Sequence, residues 1–198
     1  MNRLSHFFVV AFAALALVLA QAASATTVQK FTLQELTKKA ASIVVGTVVD
    51  GTSSWDASKK EIYTYYTISV SQPVKGSKNG ETITIRQLGG TVGNIASIVP
   101  GMPSFKKGEE VVLFLTQKDA AGYPWVMGLQ QGKYSVVEQD GLKMVRNDLS
   151  GTGLLTPNGR HAEPTVAPDQ QLGAFLDGIK TTLDVDGKIQ VDPKPPTE

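Results

Sequence analysis

The sequence predicts a mainly β protein: a small antiparallel barrel with a short helix at its N-terminal end and an amphipathic helix at its C-terminal end. Three observations predict it. Six or seven short runs with strand-like patterning recur at turn-marked spacing. Two of them, Ile43–Val49 and Glu110–Thr116, are apolar on both faces, as strands covered on both sides are. Helical periodicity is confined to the two ends of the patterned region. The chain has no cysteine, so no disulfide protects an open sheet edge, whereas closing the sheet on itself removes the edges altogether.

Taken in order, Thr32-Leu33-Gln34-Glu35 is a capping box, and Leu33, Leu36 and Ala40 then share one face, which predicts a helix over 33–41. Ile43–Val49 is the first strand, and the polar segment Asp50–Lys60 reads as a loop. In the strand Glu61–Ser71, alternation puts Ile62, Tyr66, Ile68 and Val70 on one face and Tyr63, Tyr65, Thr67 and Ser69 on the other. Pro73 and Gly76 end it. Asn79-Gly80 is a hairpin turn into the strand Thr82–Leu88, whose Ile83 and Ile85 face inward. A loop punctuated by glycine and proline spans Gly89 to Gly108. After Glu110–Thr116, three further strands are expected at Trp125–Gln130, Lys133–Glu138 and Leu142–Arg146. Residues 149–168 lack periodicity. Leu172, Phe175, Leu176, Ile179 and Leu183 then form a helical stripe, and the polar, proline-rich 184–198 is expected to be a disordered tail.

The first 25 residues have the order of a secretory signal. Arg3 supplies the basic start, Phe7–Ala20 an apolar core and Ala23-Ser24-Ala25 the cleavage site before Thr26. The apolar run is shorter than the roughly 20 residues a spanning helix needs, which argues against stable membrane insertion. The expected organisation is a signal peptide over 1–25, one barrel domain over 26–183 and the tail. Export without cysteine points to a bacterial periplasmic or secreted setting. The 19 basic residues nearly balance the 18 acidic ones, which leaves no electrostatic basis for nucleic acid as a partner.

Catalytic chemistry finds little support in the residues. His161 is the one histidine after the signal and stands in an irregular stretch, with no G-x-S-x-G elbow in the chain to supply a nucleophile. Without Cys, a zinc site would rest on carboxylates, which zinc seldom uses. Glu109 and Glu110 precede a strand and point to opposite faces, and the loop begun at Asp184 and Asp186 lacks the bidentate glutamate a calcium site needs. No cofactor, metal or catalytic residue is therefore assigned. What survives is a binding surface. Arg86, Gln87, Gly89 and Gly90 end one strand, Gln130, Gln131 and Lys133 turn between two others, and Tyr63, Tyr65 and Trp55 offer stacking area. The competing reading packs the tyrosines under the terminal helices and leaves the basic groups solvated.

The series Leu33-x-x-Leu36, Ala40-Ala41-Ser42-Ile43-Val44-Val45-Gly46-Thr47-Val48, Ile62-Tyr63-Thr64-Tyr65, Val74-Lys75-Gly76, Arg86-Gln87-x-Gly89-Gly90 and Gly101-x-Pro103-x-Phe105-x-x-Gly108-Glu109 resembles a family of exported bacterial proteins of unassigned function. More distantly it is similar to the netrin-like module of the tissue inhibitors of metalloproteinases, which implies an OB-type five-stranded barrel. Their inhibition depends on an N-terminal cysteine that this chain lacks, so those residues do not carry over. The resulting expectation is an exported, non-enzymatic module that binds another envelope or secreted protein, a peptide or a sugar. The alternative is a proteinase inhibitor acting through a loop such as Gly89–Gly108.

Overall fold

The computed structural model describes residues 27–149, 153–155, 161–162 and 168–189. The 1–25 segment lies outside them, as do residues 190–198 of the expected tail. The elements are β1 (Thr27–Gln29), α1 (Leu33–Lys39), β2 (Ser42–Trp55), β3 (Ile62–Lys75), β4 (Thr82–Leu88), β5 (Gly90–Val92), β6 (Ile95–Ser97), β7 (Glu110–Leu115), a 3₁₀ turn (Leu129–Gly132), β8 (Lys133–Gln139), β9 (Leu142–Arg146), β10 (Gly153–Leu155), β11 (His161–Ala162), β12 (Gln170–Gln171) and α2 (Leu172–Ile189).

The protein is mainly β. Seven strands form one antiparallel sheet in the order β12-β9-β8-β7-β2-β3-β4. Smaller sheets join β1 in parallel to β10, β10 to β11, and β5 to β6. β2 is the hub, because its first half pairs with β7 on one side while its whole length pairs with β3 on the other. That double pairing explains why Val44, Val45, Val111, Val112, Leu113 and Phe114 are buried whichever way they point. One face of the hub packs Ile43, Val45, Val112 and Phe114 against Leu36 of α1 and Phe175, Leu176 and Ile179 of α2. The opposite face packs Val44, Val48, Ile68, Val70, Ile85, Val111, Leu113, Leu115 and Val126 into a second core.

α1 starts at its capping box. The Glu35 amide donates to Thr32 Oγ1, and the Thr32 amide donates to Glu35 Oε2. Beyond the last bond of β7, the chain forms a hairpin. Leu115 makes an antiparallel bridge with Val126, the Thr116 amide donates to Trp125 O, and across the gap the Arg86 amide of β4 donates to Pro124 O at 3.1 Å.

Several expectations need correction. The polar stretch after Val49 is strand as far as Trp55, because pairing with β3 outweighs local turn preference and a bulge between Val48 and Asp50 absorbs the irregularity. The turn itself sits at Asp56, whose Oδ1 accepts from the Lys60 and Glu61 amides. β3 continues through Pro73, which stands opposite Val44 beside another register shift, where its missing N–H breaks no regular ladder. The Gly89–Gly108 segment contains the β5–β6 hairpin. Trp125–Gln130 is not a strand. After Val126 the chain turns through left-handed Gly128 into the 3₁₀ turn. α2 runs to Ile189, six residues past the expected boundary, since exposed Asp184 and Val185 continue the helix as its solvent side.

Candidate functional site

Of the nine residues carried forward from sequence, Tyr63, Tyr65, Arg86, Gln87, Gly89 and Gly90 lie on or just after the β3–β4 pair and separate onto its two faces, while Gln130, Gln131 and Lys133 belong to the 3₁₀ turn and the start of β8. Tyr65 stands opposite Arg86 and Tyr63 opposite Leu88, on the outward face. There Arg86 lies over the Tyr63 ring at 4.6 Å and the Trp125 ring at 5.1 Å, and Tyr65 meets Tyr123 edge-on at 5.1 Å. Asp119 ties the group together, accepting from Arg86 Nη2 and Trp125 Nε1 (both 2.6 Å) and from the Ala121 and Tyr123 amides. The Trp125 indole first, then the two amides and Arg86, hold the Asp119 carboxyl below its ordinary range. The tyrosines therefore do not pack under the helices, and Arg86 is not simply solvated. The cluster clips the 116–126 hairpin to β4 by charge and by cation–π contact. Trp55 stands apart at the end of β2, opposite Ile62.

Gln87 alternates to the inward face, opposite Thr64, and is only 3% exposed. It lines a cavity of about 180 Å³ between the ends of β3 and β4 and the 97–104 segment, together with Thr64, Tyr66, Val99, Met102 and Pro103. Its amide Nε2 is buried and has no hydrogen-bond partner among the described residues. Gly89 and Gly90 line the same cavity, and backbone geometry demands both glycines. Gly89 (φ +97°) passes close under Ser97 O, and at Gly90 (φ +138°) a Cβ would collide with Thr64 Oγ1 and Ser53 Oγ. Thr64 Oγ1 donates to Gly89 O at 2.7 Å and fixes that turn.

Gln130 and Lys133 hold the other wall. The Gln130 amide donates to Gly101 O, and Lys133 Nζ donates to Ser104 O at 2.5 Å. Lys133 also pairs with Glu109 at 2.7 Å and lies over Phe105 at 4.7 Å, and Phe105 packs on Tyr66. Burial pushes the Glu109 carboxyl up most strongly, but bonds from Lys133, Ser135 and the Lys106 amide outweigh it and set it below the ordinary value. Burial raises the Tyr66 phenol. Gln131 lies apart from this site. Its amide accepts from the Phe31 N–H and donates to Gln29 O and Gly128 O, which secures the chain between β1 and α1.

Five of the nine residues thus converge on one small cavity, with Gln87, Gly89 and Gly90 in it and Gln130 and Lys133 behind its loop wall. Sequence reading missed Thr64, Met102 and Pro103 in that cavity. It also missed Tyr123, Trp125 and Asp119 on the outward face. The spacing Tyr123-x-Trp125 matches that of Tyr63-x-Tyr65 and is the available signal for the outward-face aromatics. No family model matches this chain, and no curated protein sequence matches it. Among the described residues, no group of three or more His, Cys, Asp or Glu side chains gathers as a metal site, and no helix is long and apolar enough to cross a membrane.

Proposed function

We propose that this chain is an exported, non-enzymatic interaction module that recognises one side chain of a partner protein in the cavity lined by Gln87. The unpartnered, buried Gln87 amide carries the reading. A buried donor left unmade costs about 1–3 kcal/mol, and Gln87 belongs to the cavity wall, so an acceptor carried in by a partner side chain is one way to meet it once the amide turns toward that space. The volume selects the class of ligand. About 180 Å³ falls below the roughly 300–1,000 Å³ of sites for drug-sized molecules and suits a single side chain. Val99, Met102 and Pro103 would cover its apolar part, while an oxygen at its tip accepts from Gln87.

An OB/netrin-like barrel is the proposed frame. Five segments follow one another round the second core: β2, β3, β4, Tyr123–Val126 and β7, and back to β2. Pairing supports every step, the step from β4 to the Tyr123–Val126 segment resting on the Arg86 to Pro124 bond. The location, periplasmic or outside a bacterial cell, follows from the reading of residues 1–25.

Cross-linking capture from envelope extract tests the proposal, with the mature wild-type domain beside Gln87→Leu. Loss of the captured species from the variant is the expected result, and equal capture sinks the Gln87 assignment. Turnover of ester, phosphate or glycoside substrates by purified protein would remove the non-enzymatic claim. A second reading, inhibition of a proteinase by the 89–108 loop, rests on Ile98, which is 88% exposed on a segment held by the Gln130 and Lys133 bonds. An inhibitory loop stays intact while the activity of a co-exported protease falls; rapid cleavage with no inhibition dismisses it.

A further inference from the structure

Among the described residues, the edge of β4 that faces away from β3 is bonded along only part of its length. Its pairing with β3 determines which backbone groups point where. The Val70 amide donates to Glu81 O at 2.9 Å, and the Gly89 amide donates to Ile62 O at 2.7 Å. Bonding residues alternate along an antiparallel ladder. Ile83, Ile85 and Gln87 therefore turn their N–H and C=O toward β3, and Thr82, Thr84 and Arg86 turn theirs away. Arg86 obeys this parity, because its amide bonds Pro124 O on the far side. Thr82 and Thr84 have no such partner among the described residues.

Their side of the strand faces a cleft of about 350 Å³, lined beyond β4 by Thr116, Gln117 and Lys118 and also by Ser42. Ser42 Oγ is buried and has no hydrogen-bond partner among the described residues. The neighbouring stretch of the same gap is filled by Pro124–Val126, bonded to β4 through Arg86 and to β7 through Leu115 and Thr116. Where the gap is filled, it holds one extended chain; where Thr82 and Thr84 lie, it is open. Thr82-Ile83-Thr84-Ile85 carries no proline and no charge, the usual means of blocking an edge.

We propose that the Thr82–Thr84 edge of β4 takes an extended segment of a partner polypeptide as an added strand. A row of alternating donors and acceptors repeating at about 6.8 Å, twice the rise of about 3.4 Å per residue, is matched by another extended peptide backbone and not by a sugar ring. The site is separate from the Gln87 cavity, and Gln87→Leu leaves it unchanged.

The test uses an array of capped random heptapeptides probed with the mature domain, and then solution titration of the peptides retained. Thr84→Pro deletes an outward N–H and is expected to weaken binding roughly tenfold or more, while Thr84→Val, which keeps that N–H, binds within about twofold of wild type. Amide exchange at Thr82 and Thr84 is fast in the free protein and slows roughly tenfold or more on peptide addition. Should Thr84→Pro fail to fold, the peptide is N-methylated along one edge and then the other; only one series loses binding. The proposal is overturned if no peptide is retained, if Thr84→Pro binds as wild type does, or if both methylated series bind alike. Slowing of Thr82 and Thr84 exchange by protein concentration alone overturns it too, since the edge would then pair with a second copy.

Discussion

At Gln87, the side chain present and the packing around it disagree. The strand position wants an apolar residue, since its neighbour Ile85 is fully buried, yet an amide stands there with Nε2 unsatisfied. Replacing it by leucine removes the unmet donor and leaves no partner orphaned. A gain of about 1–3 kcal/mol follows, which raises the Tm by a few degrees for a chain of this length. A calorimetric scan of Gln87→Leu checks this, and a lower Tm counts against an unmet amide. Lys133 is the contrasting residue, with its side chain only 7% exposed and its ammonium 2.7 Å from Glu109 Oε1. Lys133→Met breaks the pair and is expected to cost about 2–3 kcal/mol, less than a wholly buried pair because Glu109 keeps its Ser135 and Lys106 bonds. The pH dependence has a definite sign. Glu109 has a lowered folded pKa, so its contribution is fully present above the ordinary glutamate value of 4.5 and is lost as pH falls through the folded value. Urea melts of wild type between pH 6 and pH 3 fall more steeply than those of a Glu109→Gln variant. Equal slopes contradict the assignment.

At the scale of elements, the 116–126 hairpin depends on one carboxylate. Asp119→Ala removes acceptors for Arg86, Trp125 and two amides at once. The Arg86 amide, bonded to Pro124 O, is then expected to exchange roughly tenfold faster, and Trp125 fluorescence to shift toward that of a solvated indole. Unchanged exchange at Arg86 would show that the hairpin is held by other means. Sequence patterning read the helix α1, the strands β4, β7, β8 and β9 and the inward face of β3 closely, because each carries a local signal: a capping box, alternation, or an apolar run. It failed where a partner strand overrides local preference. Asp50–Trp55 looks like a loop until β3 is set beside it, and Pro73 looks like an end until a bulge accommodates it. The candidate site was legible in part for the same reason. Arg86, Gln87, Gly89 and Gly90 adjoin in sequence, but alternation sends Arg86 to one face and Gln87 to the other. Met102 and Pro103 belong to a loop whose closure over Gln87 no local pattern announces.

The whole molecule sets two packed cores on either face of a β2–β7 hub, and among the described residues the Gln87 amide nitrogen and the outward backbone groups of Thr82 and Thr84 lack a partner, as do Ser42 Oγ, Arg86 Nε and Asn147 Oδ1. The most direct test compares cross-linked capture of envelope proteins by wild type and Gln87→Leu, with both shown to be folded at the working temperature. The account predicts that the variant melts higher and loses the captured partner. A variant that captures the same partner to the same extent contradicts it.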